Sequence, residues 1–285
     1  MLSWTSKGAV SSPAVLQIRM NSAIGGLVAA GAPSPSRAVT LDEFHENLAY
    51  FSLRRGSRAV PIERLVLSGI AEDTPVGSLI EAAQKVGVTH TTLHLSAPVA
   101  SQLGKEIDRA SAVVIPIFQA SDVDALWAVP PDIFRIAVLQ VTQRGAWGKH
   151  NLLACLERTP PDLIVITWPY VGDGLESLST DQVVDVRKAY ERLAQTGARV
   201  VIKGMPACIV DFCDEVGTKS SNRWYVDSDH QQEEAILFFP NVVRFSKAEA
   251  CRFCAITSLC DGVPTRWASP STMRACTPIE AAKTP

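Results

Sequence analysis

Short apolar runs alternate with longer amphipathic segments through the first two-thirds of the chain, the pattern that successive strand–helix units around a parallel sheet produce. Seven runs have strand character: 14–19, 64–68, 91–95, 112–118, 135–141, 162–168 and 199–203. The segments between them carry helix signals. Thr40-Leu-Asp-Glu43 has capping-box spacing, in which the threonine hydroxyl and the glutamate each satisfy a free amide at the helix start; Leu41, Phe44, Leu48 and Phe51 then mark one buried face. Segment 76–86 stops at Gly87, and Ser179-Thr-Asp-Gln182 opens a helix that runs through Leu193 and is closed by Gly197. Two shorter helices are expected over 123–127 and 150–157.

Parallel strands need crossover connections, so this order predicts a wound α/β sheet with helices on one or both faces and ligand positions at the carboxyl ends of the strands. The alternation fades after residue 205, where Pro206, Pro240, Pro264, Pro270 and Pro278 punctuate an irregular stretch. The expected division is therefore 1–204 for the wound sheet and 205–285 for a cysteine-rich extension. No internal repeat is visible, and Gly31-Ala-Pro-Ser-Pro-Ser36 is the most evident loop.

Composition narrows the function. The 285 residues are 47% hydrophobic and 20% charged, ordinary for a self-folding globular chain. A net charge of -2 with scattered basic residues gives no electrostatic footprint for nucleic acid. The weakly polar stretch 23–32 is glycine-rich and far short of the roughly 20 residues of a membrane span. Segment 1–13 lacks the apolar core of a secretion signal, and the cysteine count of seven is odd, so a reducing cytoplasm is expected in preference to a disulfide framework.

The chemistry is concentrated in Cys251-Arg-Phe-Cys254-Ala-Ile-Thr-Ser-Leu-Cys260, three cysteines in ten residues at C-x2-C-x5-C spacing. A CxxC pair brings two thiolates to one centre and a third follows after a short loop, as both zinc and iron–sulfur sites require. Cys208 is the expected fourth ligand, with Cys213 the runner-up. The competing reading is that these cysteines are small buried hydrophobes. Cys155 lies in the apolar pattern Leu152, Leu153, Cys155, Leu156 and reads as core, whereas Cys276 sits in a polar tail with no assigned role. Other catalytic motifs are missing. His90 and His94 fall on a strand without an HExxH context, and Asp211, Asp214 and Glu215 read as a polar turn in preference to a carboxylate cluster.

Several segments, in order, resemble the partial barrel of radical S-adenosylmethionine enzymes. Leu65-Val-Leu-Ser-Gly69 with its following helix is similar to the second strand and its turn. Residues 135–151 are similar to the fifth strand and an asparagine-bearing loop, while Trp168-Pro-Tyr-Val-Gly172, the helix from Thr180, and Val200-Val-Ile-Lys-Gly-Met-Pro-Ala-Cys208 are similar to the closing part. Cys251, Cys254 and Cys260, with Gly262 and Trp267 after them, resemble an auxiliary-cluster ending. The resemblance covers about residues 14–267 and implies a partial (β/α)6-type barrel with an irregular cysteine-rich extension.

Such enzymes hold their catalytic cluster on a CxxxCxxC loop after the first strand, where this chain places Met20, Ile24 and Leu27. The resemblance therefore implies a catalytically silent relative that keeps a C-terminal 4Fe-4S cluster, or zinc, on Cys208, Cys251, Cys254 and Cys260. Vestigial S-adenosylmethionine contacts would fall on Gly69 and on Asn151, the latter reading equally well as a helix-edge polar residue. Ile70, in Gly69-Ile-Ala-Glu72, would crowd that cofactor. The implied role is a partner or scaffold for a protein or peptide, such as an active radical S-adenosylmethionine homologue in a natural-product or cofactor maturation pathway. Electron transfer through the C-terminal cluster and new chemistry in the barrel cavity are the alternatives.

Overall fold

The computed structural model describes residues 14–22, 35–53, 61–140, 152–167, 180–203, 206–210, 223–238, 245–258, 260, 262–265, 268 and 270–280. All seven expected strands form within one residue of their expected limits: β1 (Val15–Arg19), β2 (Arg64–Ser68), β3 (His90–His94), β4 (Ala112–Ile117), β5 (Phe134–Gln140), β6 (Leu163–Thr167) and β7 (Arg199–Lys203). They lie in the order β7-β6-β5-β4-β3-β2-β1, each parallel to the next. Two further strands join on the far side of β1. β8 (Arg223–Val226) pairs with β1 in parallel, and β9 (Ile236–Phe238) returns antiparallel on β8. Among the described residues the parallel set thus holds eight strands, two more than a six-unit barrel.

Sequential strand order with right-handed crossovers places every helix on the same side of a sheet, the arrangement of a barrel wall. The helices are α1 (Leu41–Ser52), α2 (Val76–Lys85), α3 (Ala97–Leu103), α4 (Ala120–Ala128), α5 (Leu152–Arg158) and α6 (Thr180–Ala194). The core confirms this, because residues from all six share one apolar cluster with alternate strand positions such as Leu16, Ile18, Leu65, Leu67, Ile115, Leu139, Ile166 and Ile202. The intervening strand positions face the other way, where Val114, Val138 and Val165 form a small separate cluster. Among the described residues β7 and β8 do not pair, so the wall is a partial barrel with an open seam.

α1 begins as its sequence dictates: Thr40 Oγ1 accepts the Glu43 amide at 3.2 Å, and Glu43 Oε2 accepts the Thr40 amide at 2.9 Å. Phe44, Leu48 and Phe51 are buried, but Leu41 is 45% exposed. As the first helical residue its side chain tilts back toward the amino end, beyond the sheet it was expected to cover. Asn47 is buried in its place. Its Oδ1 accepts the Gln232 amide at 2.8 Å, and Gln231 Nε2 donates to Glu43 at 2.9 Å, so α1 holds the corner between β8 and β9.

The stretch expected to form a separate extension thus contributes β8 and β9 to the main sheet. Its remainder holds α7 (Ala207–Val210), a two-stranded antiparallel ribbon of β10 (Phe245–Ser246) and β11 (Val263–Pro264), and α8 (Pro270–Ala275). No described helix is long and apolar enough to cross a membrane.

Candidate thiol site

The β10–β11 ribbon closes the loop that carries Cys251, Cys254 and Cys260. Gly262 makes the closure possible: at φ 100° a side chain is strained, and a Cβ there would lie 2.6 Å from the Ser246 carbonyl oxygen. Ala248 and Val263 anchor the ribbon in the main apolar cluster, and Phe245 is buried beside them in β10. Within the loop a 3-10 turn over Glu249–Phe253 sets the CxxC spacing, with the Cys254 amide donating to the Cys251 carbonyl at 3.2 Å. The Cys260 amide donates to the Ile256 carbonyl at 2.9 Å, and Lys247 Nζ ties the loop by donating to the Thr257 carbonyl.

Three separate segments converge here. Cys208, on α7 just past the end of β7, Cys251, Cys254 and Cys260 on the loop, and Cys276 just after α8 all line one cavity of about 20 Å³, room for about one water-sized body. Cys276 is buried, although its sequence neighbourhood is polar. The sequence signal that would have found it is compositional, since six of the seven cysteines lie beyond residue 205. The Cys208 and Cys276 thiols share a hydrogen bond, which raises the Cys276 pKa above that of an ordinary thiol, helped by burial and by the neighbouring Cys251 and Cys260. The Cys260 thiol is also pushed up, by burial first, although the backbone amides of Ala207 and Gly262 donate toward its sulfur. A third amide, of Ile279, donates to Cys254 Sγ at 3.4 Å. Backbone donors aimed at sulfur are the environment of a thiolate ligand. As the side chains stand, no three His, Cys, Asp or Glu among the described residues are drawn close enough to hold a metal ion.

The remaining sequence candidates fall elsewhere. Cys155 packs against the main core on α5, away from the thiol cavity, and Arg158 Nη2 donates to its sulfur at 3.3 Å. Gly69 has φ 65°, and a Cβ on it would lie 2.2 Å from the Asn21 carbonyl oxygen, so its glycine serves the close packing of two chain segments. Ile70 is 1% exposed within the main core, and the Ala71 amide is taken by Thr74 Oγ1 at 3.0 Å. Met20 is likewise buried in the main core. His90 is exposed and contacts Thr89 Oγ1, while His94 ends β3 on the face away from the helices. Ile24, Leu27, Asn151, Cys213, Asp211, Asp214 and Glu215 lie outside the described residues.

The fold and the thiol cavity define a singly wound α/β partial barrel with a cysteine-lined end. No protein family model matches the chain, and no curated protein matches it. Among solved structures, a glycoside hydrolase family 5 enzyme from Prevotella bryantii B14 is similar at 10% identity over 70% of this chain and 78% of that one, with a TM-score of 0.30. That degree of likeness transfers neither activity nor site residues.

Proposed function

We propose that this chain is a non-catalytic binding protein whose cysteine-lined end holds a thiolate-ligated metal centre, and that it serves as a partner or scaffold for a protein or peptide. The observation that carries the reading is the convergence of five cysteines from three segments on one cavity, with three backbone amides directed at their sulfurs. The donor set fits a metal: it is all thiol, and the hydrogen bond from Cys208, burial and the neighbouring thiols raise the Cys276 pKa, a strain that a bound cation relieves. Cys251, Cys254, Cys260 and either Cys276 or Cys208 would hold the group, and the fifth thiol would stand beside it. A bound 4Fe-4S cluster would supply one-electron chemistry, and zinc would supply structure alone. The likeness to radical S-adenosylmethionine enzymes favours the cluster. The silent-barrel half of the reading is supported by Met20, which occupies the first cluster-ligand position and lies in the main core.

Anaerobic reconstitution with iron and sulfide should load about one four-iron cluster per chain, four thiolates being used for each. Cys254→Ser should reduce metal content and loosen the β10–β11 ribbon, whereas Cys155→Ser should leave the metal unchanged. Zinc uptake without visible absorbance would make the centre structural, and reversible bleaching on reduction would turn the reading to electron transfer. A chain that binds neither iron nor zinc would overturn the metal centre.

A further inference from the structure

On the sheet face away from the helices, polar side chains stand side by side at the carboxyl ends of four adjacent strands. Arg19 pairs in register with Ser68; Asp227 directly follows Val226, the partner of Ile18; and His94 directly follows Leu93, the partner of Leu67. One step below Asp227 is Tyr225, in register with Gln17. The carboxyl ends of the strands are where barrel folds place their binding sites, since the rest of the wall is committed to packing.

These groups are withdrawn from water. Tyr225 and Asp227 are 0% exposed, Ser68 2% and Arg19 5%. Asp227 is fixed by the turn after β8, its Oδ1 accepting the amides of Asp229 and His230, both at 2.9 Å, and contacting His230 Nδ1 at 2.8 Å. Among the described residues neither its second oxygen, Oδ2, nor the Tyr225 hydroxyl completes a hydrogen bond of good geometry, although the hydroxyl stands close to Arg19 and to Asp227 itself. Buried polar atoms are almost always paired, because leaving one unpaired forfeits its hydration. Two such atoms at the carboxyl end of β8, one on the strand and one fixed by the turn after it, beside the buried Arg19, are the layout of a polar ligand site.

We propose that Asp227 and Tyr225, with Arg19 beside them, bind a small zwitterion of the α-amino-acid type, its ammonium group on Asp227 and Tyr225 and its carboxylate toward Arg19. An ammonium has three donors, enough for the open carboxylate oxygen and the phenol oxygen together, and it brings a positive charge to a buried negative one. A neutral hydroxyl would meet the hydrogen bond without the charge. Arg19 accounts for the carboxylate half, since it would repel an amine that carried no anion of its own. Burial and the nearby Asp227 charge hold the Tyr225 phenol protonated, so that it is a neutral partner to the ammonium. This site is independent of the thiol cavity.

The test is calorimetric titration of the full chain with pools of the twenty proteinogenic amino acids, alongside the matching amines without the carboxylate, and glucose. At least one amino acid should bind with one-to-one stoichiometry in the millimolar range or tighter. Asp227→Asn and Tyr225→Phe should each weaken it about tenfold or more, and Cys155→Ser should not change it. If Asp227→Asn fails to fold, Tyr225→Phe decides, because it removes one hydroxyl and keeps the ring in place. Absence of binding by every amino acid to the folded chain, unaltered affinity in Tyr225→Phe, or binding of the amines or glucose in their stead would overturn the proposal.

Discussion

Gly69 shows how much of a residue's role resides in backbone geometry. The turn after β2 passes so close to Asn21 that a Cβ at position 69 would meet its carbonyl oxygen at 2.2 Å, and the residue also has φ 65°. Gly69→Ala is therefore expected to destabilise the protein by about 3 kcal/mol, the left-handed strain and the clash acting together, read as a lowered urea midpoint with unchanged slope. The sequence marks the glycine but not its neighbour, because the contact joins residues far apart in the chain. Cys276 has the same lesson with the opposite sign: beside Ala275 and Thr277 it has no ligand spacing to read, and only the folding of α8 against the cysteine loop brings it to the other thiols. Cys251, Cys254 and Cys260 were legible because their neighbourhood is local.

At the scale of elements, the well-read parts are those whose signals are local and repeated. The seven strands and the capping box of α1 follow from alternation and from the Thr40–Glu43 spacing. α3 leaves no trace in the pattern, since seven residues make less than two turns and give no period to detect. β8 is not legible in the pattern because Arg-Trp-Tyr-Val has too few residues to establish alternation after an irregular stretch. The amino end of α1 gives a pH prediction. Arg37, by hydrogen bonding, holds the Glu43 carboxyl well below the usual carboxylate range, with further donors from Thr40 and Gln231. A depressed folded pKa means that the stabilisation is fully present above the unfolded value of about 4.3 and is lost as pH falls through the folded one. Thermal unfolding followed from pH 6 to pH 2 should therefore show a drop in melting temperature below about pH 4.3 that is shallower in Glu43→Gln. Thr40→Ala, which removes the cap at all pH values, should cost about 1 kcal/mol.

For the whole molecule, strand pairing and not sequence texture sets where the barrel wall ends. Fading alternation at residue 205 marks a change in sequence texture, whereas the sheet continues across it: Leu16, Gln17 and Ile18 of β1 pair with Trp224, Tyr225 and Val226 of β8. Trp224 also packs against Phe51 of α1, with ring centroids 5.5 Å apart, and Asn47 and Glu43 bind the corner that follows. A fragment ending at residue 204 would lose all of this. β1 would become an edge with unpaired amides and carbonyls, a template for association with other chains, and Phe51 would lose its cover. Such a fragment is expected to aggregate or to unfold without a cooperative transition. The full chain should unfold β1 and β8 together, seen as matching hydrogen-exchange protection of Leu16 to Ile18 and Trp224 to Val226. If the thiol cavity takes up metal as proposed, removing that metal should, by contrast, release protection only around the β10–β11 ribbon and the cysteine loop, because the apolar core beneath the sheet does not depend on the thiols. If the 1–204 fragment instead melts cooperatively at the temperature of the full chain, β8 is a peripheral addition and the boundary read from the sequence is the physical one.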